Sequence, residues 1–291
     1  MVATSLAQTP HRRRWRWRRI AGRVAAQVVV TLLALVWLVP VAMMLTVALM
    51  PSSSRDAILG GLIVKQPTLD NFGKVWSENP LPRYFLNSLI ITVPSVLLVL
   101  VVASLAAFAF ARLKFWGSGV WYALLMLTLM VPIPTLIIPL FQIAKRLNLL
   151  NNYLGLILPY AALGTPFAII ILTSYFSRLP REIEDAARLD GCSSFKIYWQ
   201  ILLPLSWPAL AVVFIWQFMV SWNEFILALI MMQDDARKPL ILVPLIYSGV
   251  YLTNPGAMFA VLTIITIPVV IVFVLLQRYF VSGLTAGSLK G

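Results

Sequence analysis

Apolar runs long enough to cross a bilayer recur six times along the chain, separated by shorter polar intervals with proline and glycine at their edges. They lie at about 24–50, 85–111, 118–143, 153–176, 207–232 and 257–281. The first, Val24 to Met50, is about 40 Å long as a helix against a hydrocarbon core of about 30 Å, so it must tilt or kink, with Pro40 as the natural kink site. A secretory leader would have a shorter apolar region ending in small residues, so an uncleaved anchor is expected. The predicted fold is an all-α polytopic membrane protein with six transmembrane helices. A basic segment 1–23 precedes the first span 24–50; an external loop 51–84 follows, then a helical core 85–281 and a tail 282–291.

Polar residues inside these runs fall into files. Asn87 and Ser88 open segment two, where Ser88, Thr92 and Ser95 share a helical face. Segment three carries Thr128, Thr135 and Gln142 at intervals of seven, among Pro132, Pro134 and Pro139. Segment four holds Pro159 and Pro166; intramembrane prolines are tolerated where neighbouring helices satisfy the freed carbonyls. In segment five, read as one helix, Gln217, Ser221 and Glu224 form a stripe, with Trp222 and Asn223 beside it. A carboxylate left against lipid would cost a few kcal/mol, so Glu224 should face a partner helix or a wet cavity. Each file alone fits ordinary interhelical hydrogen bonding, whereas three in concert fit a shared polar passage. Hydroxyl-rich solutes need such lining, and Trp216 or Trp222 could present an apolar face to a sugar ring.

The long polar interval in the C-terminal half, within 178–206, has its own helical grammar. Pro180 suits a first helical position, and Glu182, Glu184 and Asp185 crowd the positive end of a short helix. Ile183, Ala186 and Ala187 make a small apolar face, and Gly191 supplies a stop. A second helix is expected from Ser193 or Ser194 to Leu203, ended by Pro204. The bland reading is a solvated connector; the alternative is a handle for another protein.

Composition narrows the class. Of 291 residues 60% are hydrophobic and 11% charged, which excludes an ordinary soluble domain. A single cysteine, Cys192, and a single histidine, His11, leave no intramolecular disulfide and no His/Cys metal site; no metal is expected. The patterns GxxxxGKS/T, HExxH and GxSxG are absent, so no enzyme centre and no resident cofactor are expected. The net charge of +13 would suggest nucleic acid in a soluble protein. Here seven arginines from Arg12 to Arg23, interleaved with Trp15 and Trp17, sit before the first span and fit a cytoplasmic, lipid-facing anchor instead. With the amino terminus inside, fifteen basic residues fall on the cytoplasmic side and eight outside, as the positive-inside rule requires. Both termini and the interval 178–206 are then cytoplasmic.

The polar interval resembles a known motif. Asp185, Ala186 and Ala187, then Gly191, then Ile201, Leu203 and Pro204 match in order and spacing the EAA loop of membrane subunits of binding-protein-dependent ABC importers. Asp185 stands where that family usually has Glu, with Glu184 adjacent. Further pieces are similar to the maltose-type carbohydrate permeases: NSL at 87–89, ARLKFWG at 111–117, LNLLNNYLGLILPY at 147–160, WNEF at 222–225 and GLTAGSLKG from 283. The resemblance implies a type I ABC importer permease fold in a bacterial cell membrane. Its implied partners are a second related permease, two cytoplasmic ATPase subunits carrying ATP and Mg, and an extracytoplasmic solute-binding protein. It implies that the helix from Glu182 dips into an ATPase cleft, that the tail reaches the ATPase pair, and that the loop with Tyr247, Tyr251 and Asn254 meets the binding protein.

Three classes of function remain open at this level. ATP-driven sugar import leads; the same machinery for a polyol, glycerophosphodiester or oligopeptide is the near alternative. A proton-coupled secondary transporter using Glu224, or a scaffold without transport, would leave the coupling motif unexplained; paired internal repeats, frequent in secondary transporters, are not evident.

Overall fold

The computed structural model describes residues 11–51, 64, 66–248 and 254–285, with side chains within 22–279 of that set. Every extended element among them is helical. α1 spans His11–Ala48, α2 Asp70–Glu78, α3 Leu81–Arg112, α4 Ser118–Thr128, α5 Ile133–Arg146 and α6 Leu154–Arg178. The short α7 (Glu182–Leu189) and α8 (Ser194–Ile197) follow, then α9 (Trp207–Trp222), α10 (Ile226–Met231) and α11 (Pro255–Thr285).

Among the described residues four helices are long and apolar enough to cross a membrane: Gly22–Ala48, Leu81–Arg112, Leu154–Arg178 and Pro255–Tyr279. Two bent pairs bring the number to six if each counts as one span, α4 with α5 at 99° and Ser194–Leu205 with α9 at 74°. Segments three and five, expected as single helices, are therefore broken. In segment three the last turn of α4 tightens through Leu129, Met130 and Val131, each amide donating to the carbonyl three residues back. Pro132 then has no N–H to offer and forces Val131 out of the helix. The bend separates Thr128 from Thr135, and each hydroxyl donates only to its own backbone, at Leu125 O and Pro132 O. With Gln142 also exposed, the expected polar file of segment three does not form.

Packing centres on α3 and α6. Lipid tails are as apolar as leucine, so helices associate by close contact, which small residues allow. Ala103, Ala107, Ala161 and Ala168 are all buried in the cluster that joins α3, α6, α8 and α9. A second cluster packs Tyr84, Phe218, Trp222 and Tyr247 against Ala260 and Val261 of α11. A third gathers Ile91, Leu156, Tyr160, Leu227 and Met231. α1 touches this body only near its C-terminal end, where Val47, Ala48 and Met50 are buried and Asn71 donates to the carbonyls of Ala48 and Met50 at 2.9 and 2.7 Å.

Pro204 does not end the second short helix. The backbone passes it through a π turn, Tyr198–Leu202, in which the Leu203 amide donates to Tyr198 O. The wider turn relieves the clash between the proline ring and the preceding carbonyl. The helix ends instead at Ser206, and Pro208 falls in the first turn of α9, where a missing N–H costs nothing.

Candidate translocation and coupling sites

α7 forms as expected, but its small apolar face is split, with Ile183 and Ala186 exposed and Ala187 buried, and one acid is inverted. Glu182, Asp185, Ala186 and Leu189 face outward, Leu189 being 90% exposed, whereas Ala187 packs into the core. Gly191 has φ +78°, a left-handed conformation that glycine enters without penalty, and the Cys192 amide closes the turn onto Ala187 O at 2.9 Å. Ser193 accepts from the Lys196 amide and starts α8. The inversion is Glu184. It is buried and lies 2.5 Å from Arg112 at the end of α3, so the outward acids are Glu182 and Asp185. Ile201 and Leu203 are half-buried against the core, and Pro204 is exposed.

Segment five breaks at Asn223–Phe225 because side chains there compete with the backbone. Asn223 Nδ2 donates back to Met219 O at 2.8 Å. Glu224 accepts the first free amides of α10: Ile226 and Leu227 donate to Oε1, each at 3.0 Å, and Ala228 donates to Oε2 at 3.1 Å. Tyr160 of α6 donates its hydroxyl to the same Oε2 at 2.7 Å. The carboxylate thus faces a helix end and a partner helix, as its position within an apolar run demands, although the stripe it belonged to ends at Ser221.

Gln217 and Ser221 sit one turn below. Gln217 Nε2 donates to Tyr160 O at 3.1 Å and to Ser221 Oγ at 2.9 Å, while its Oε1 is buried with no donor. The amide fits only because Gly164 opposes it; a Cβ there would lie 1.8 Å from Oε1. Gln217, Ser221, Glu224 and Tyr160, with Trp216, line a cavity of about 220 Å³. A narrow crevice continues from Ser221 and Glu224 to Ser88 and Thr92 of α3, so segments two and five do share polar lining. Thr135 and Gln142 line neither.

Other expected lining residues are structural ties. Trp222 is 2% exposed, donates to Ile265 O at 3.0 Å and stacks on Phe218; it borders the narrow crevice, and the tryptophan at the larger cavity is Trp216. Asn87 donates to Ala236 O and Lys238 O and accepts from Tyr153; Ser88 accepts from the Leu240 amide. Together they fasten the stretch before the final helix to the first turns of α3. The neighbouring Asp235 carboxyl is held below the usual carboxylate range, first by the Tyr84 hydroxyl and then by Lys238 and Arg83. A depressed carboxyl favours the folded state above its unfolded pKa, so this tie weakens only as pH falls through the lowered value.

Tyr247 is buried, donates to Glu78 at 3.1 Å and accepts from Asn79 at 2.6 Å, and burial pushes its phenol up to about 12. Asn254 caps α11 by accepting from the Ala257 amide. Both are therefore held by structural hydrogen bonds, and Tyr251 lies outside the described residues. Sequence reasoning missed the turn 147–153. Asn148 and Asn151 have φ of 55° and 54°, Asn151 Oδ1 accepts from the amides of Gln233 and Asp234, and Arg237 donates to Asn151 O. Two asparagines in a run of polar and bulky residues were the available signal, since Asn tolerates the left-handed region.

A multi-pass helical body with broken spans, a largely apolar cavity holding a few polar groups at a helix break, and a projecting short helix defines a membrane permease subunit. The chain belongs to the binding-protein-dependent transport system inner membrane component family, which it matches over residues 99–286. It is 36% identical over 264 residues to the trehalose/maltose transport system permease protein MalG of Thermococcus litoralis, covering 89% of this chain and 94% of that protein. It is 32% identical over 280 residues to the arabinooligosaccharides transport system permease protein AraQ of Bacillus subtilis, covering 92% and 96%. It is 36% identical over 225 residues to the sulfoquinovosyl glycerol transport system permease protein SmoH of Agrobacterium fabrum, covering 77% and 79%. A crystal structure of a bacterial ABC transporter involved in import of the acidic polysaccharide alginate shares the fold, with a TM-score of 0.74 at 24% identity over 95% of this chain and 100% of that one. The protein is thus a multi-pass permease of the inner membrane and one component of an ABC importer that also requires a partner permease, ATPase subunits and a binding protein. It is not itself catalytic.

Proposed function

We propose that this permease forms half of the translocation pathway of an ATP-driven importer for mono-, di- or oligosaccharides, with both termini and α7 on the cytoplasmic side. The carrying observation is α7, a short helix whose inner face is locked into the core while Glu182, Asp185, Ala186 and Leu189 stay free to meet a partner. Two cytoplasmic ATPase subunits would hold ATP and Mg; closing on nucleotide, they would draw α7 and its counterpart in a second, related permease together. The spans would then open outward to take sugar from an extracytoplasmic binding protein. Support for a sugar comes from relatives whose names specify trehalose/maltose and arabinooligosaccharides, and from the cavity. Its wall is mostly apolar, with the half-exposed Trp216 and a few fixed polar groups from Tyr160, Gln217, Ser221 and Glu224, a lining that suits the apolar faces of a sugar ring held at a few hydroxyls.

The test is reconstitution with the partner permease, ATPases and binding protein in proteoliposomes, followed by uptake of labelled disaccharides and oligosaccharides. Uptake is expected only with internal or external ATP at the ATPase face and with the binding protein present. Accumulation driven by a proton gradient without ATP would replace this reading with secondary transport. In the same assay Gly191→Val places a β-branched residue at φ +78° and is expected to lower uptake at least about tenfold with the ATPases still bound. Normal uptake and normal ATPase stimulation by the binding protein would remove α7 and its cap from the coupling path.

A further inference from the structure

The Arg112–Glu184 pair is the most deeply buried ion pair among the described residues. The two side chains are 3% and 7% exposed, and Nε lies 2.5 Å from Oε1. Arg112 also donates through Nη2 to Leu179 O at 2.8 Å, so one guanidinium holds both the strand of chain entering α7 and the helix itself. The tie is not needed to fill space, since Ala187, Ile197 and Phe176 already pack the apolar side of this junction. Removing two charges from water is expensive, and apolar residues of similar volume commonly give equal or greater stability. What this close ion pair adds, together with the directional hydrogen bond from Arg112 Nη2 to Leu179 O, is a single orientation for the start of α7.

Arg112 is the last residue of α3, a rod of about 48 Å at ~1.5 Å per residue. Near the other end of that rod, Asn87 and Ser88 hold the backbone at Ala236, Lys238 and Leu240. One helix therefore grips α7 at one end and the stretch before α11 at the other. The crevice that joins Ser88 and Thr92 to Glu224 lies along the same helix.

We infer that Arg112 and Glu184 are a positioning pair that locks α7 to α3, so that displacement of α7 by the ATPase is delivered to the external stretch 235–247 and not absorbed by a loose linker. The inference rests on α7 being the ATPase-docking helix. It assigns Glu184 an internal role and leaves docking to Glu182, Asp185, Ala186 and Leu189.

The experiment uses the assembled importer with R112Q, E184Q and the apolar double variant Arg112→Met/Glu184→Leu. Hydrogen exchange of the α7 amides in R112Q and E184Q is expected to accelerate at least tenfold relative to α6. The ATPases should still co-purify, and stimulation of ATP hydrolysis by the binding protein should fall at least tenfold. The double variant should regain the native melting temperature while remaining unstimulated, which a purely stabilising pair would not do. Native exchange and native stimulation in R112Q and E184Q overturn the inference, as does recovery of stimulation together with melting temperature in the double variant. Neither readout requires the solute to be a sugar. A native importer that is stimulated but takes up no sugar overturns the sugar assignment alone, and a native chain that retains no ATPase overturns both readings.

Discussion

Glu224→Ala is expected to lower the stability of the folded permease by about 4 kcal/mol, because one truncation strands four donors at once. Ile226, Leu227 and Ala228 lose the acceptor that starts α10, and the Tyr160 hydroxyl loses its partner in a part-buried site. No water-rich surface offers an easy substitute inside a span. Thermal unfolding of the detergent-solubilised complex measures the effect, and a native melting temperature in E224A would show that the helix break does not depend on this carboxylate. Glu224→Gln separates the capping role from a proton-carrying one. Its remaining oxygen still accepts from the Ile226 and Leu227 amides, and its NH₂ can donate to the Tyr160 oxygen after the hydroxyl rotates, leaving only the Ala228 amide without its acceptor, so a loss of only about 1–2 kcal/mol is expected. Uptake by E224Q should then persist within about threefold, where a coupling proton site would lose it altogether.

This residue also marks the limit of what periodicity can say. Spacing of three and four placed Gln217, Ser221 and Glu224 on one face, and Gln217 and Ser221 do bond to each other across that face. The same arithmetic assumes an unbroken helix, and the break is made by Glu224 itself, whose side chain is a better acceptor for the next amides than the preceding carbonyls. Segment three failed in the same manner, for a different reason: Pro132 and Pro134 were visible, but whether neighbours straighten a proline-rich span or leave it bent by 99° is a tertiary question. The long runs at α3 and α6 were legible because they need only length and apolarity.

The projecting helix was read almost completely, since capping, dipole and a left-handed glycine are local effects. Glu184 was the exception. Its partner lies seventy-two positions earlier in the chain, at the end of another span, and no local pattern on α7 distinguishes an inward acid from an outward one. Tyr247, expected at the binding-protein contact, and Trp222, expected along the pathway, are both buried and tied by hydrogen bonds, which spacing cannot foresee because aromatic residues near a span end look alike whether they greet a partner or fill a junction.

The turn 147–153 shows how much of a resemblance is backbone geometry, and its sharpest test is Gly155→Ala. A Cβ at Gly155 would stand 2.2 Å from the carbonyl oxygen of Leu149 and 3.2 Å from its carbon. The carbonyl cannot retreat freely. The Leu149 amide is bonded to Ala144 O at 2.8 Å, its side chain packs in the cluster with Leu156 and Met231, and left-handed residues flank it at Asn148 and Asn151. Downstream, the Gly155 amide donates to Asn152 O and Asn152 caps the Leu154 amide, so α6 cannot slide away either. Overpacking of this kind costs about 3 kcal/mol. Because Asn151 holds Gln233, Asp234 and Arg237, the loss should appear both as a lower melting temperature and as faster hydrogen exchange after α10. Gly73→Ala, with nothing within 4 Å of the added carbon inside α2, is the control and should stabilise by about 0.5–1 kcal/mol. Equal melting temperatures for the two variants would mean that the turn relaxes, and that its glycine is there for some reason other than the approach of Leu149.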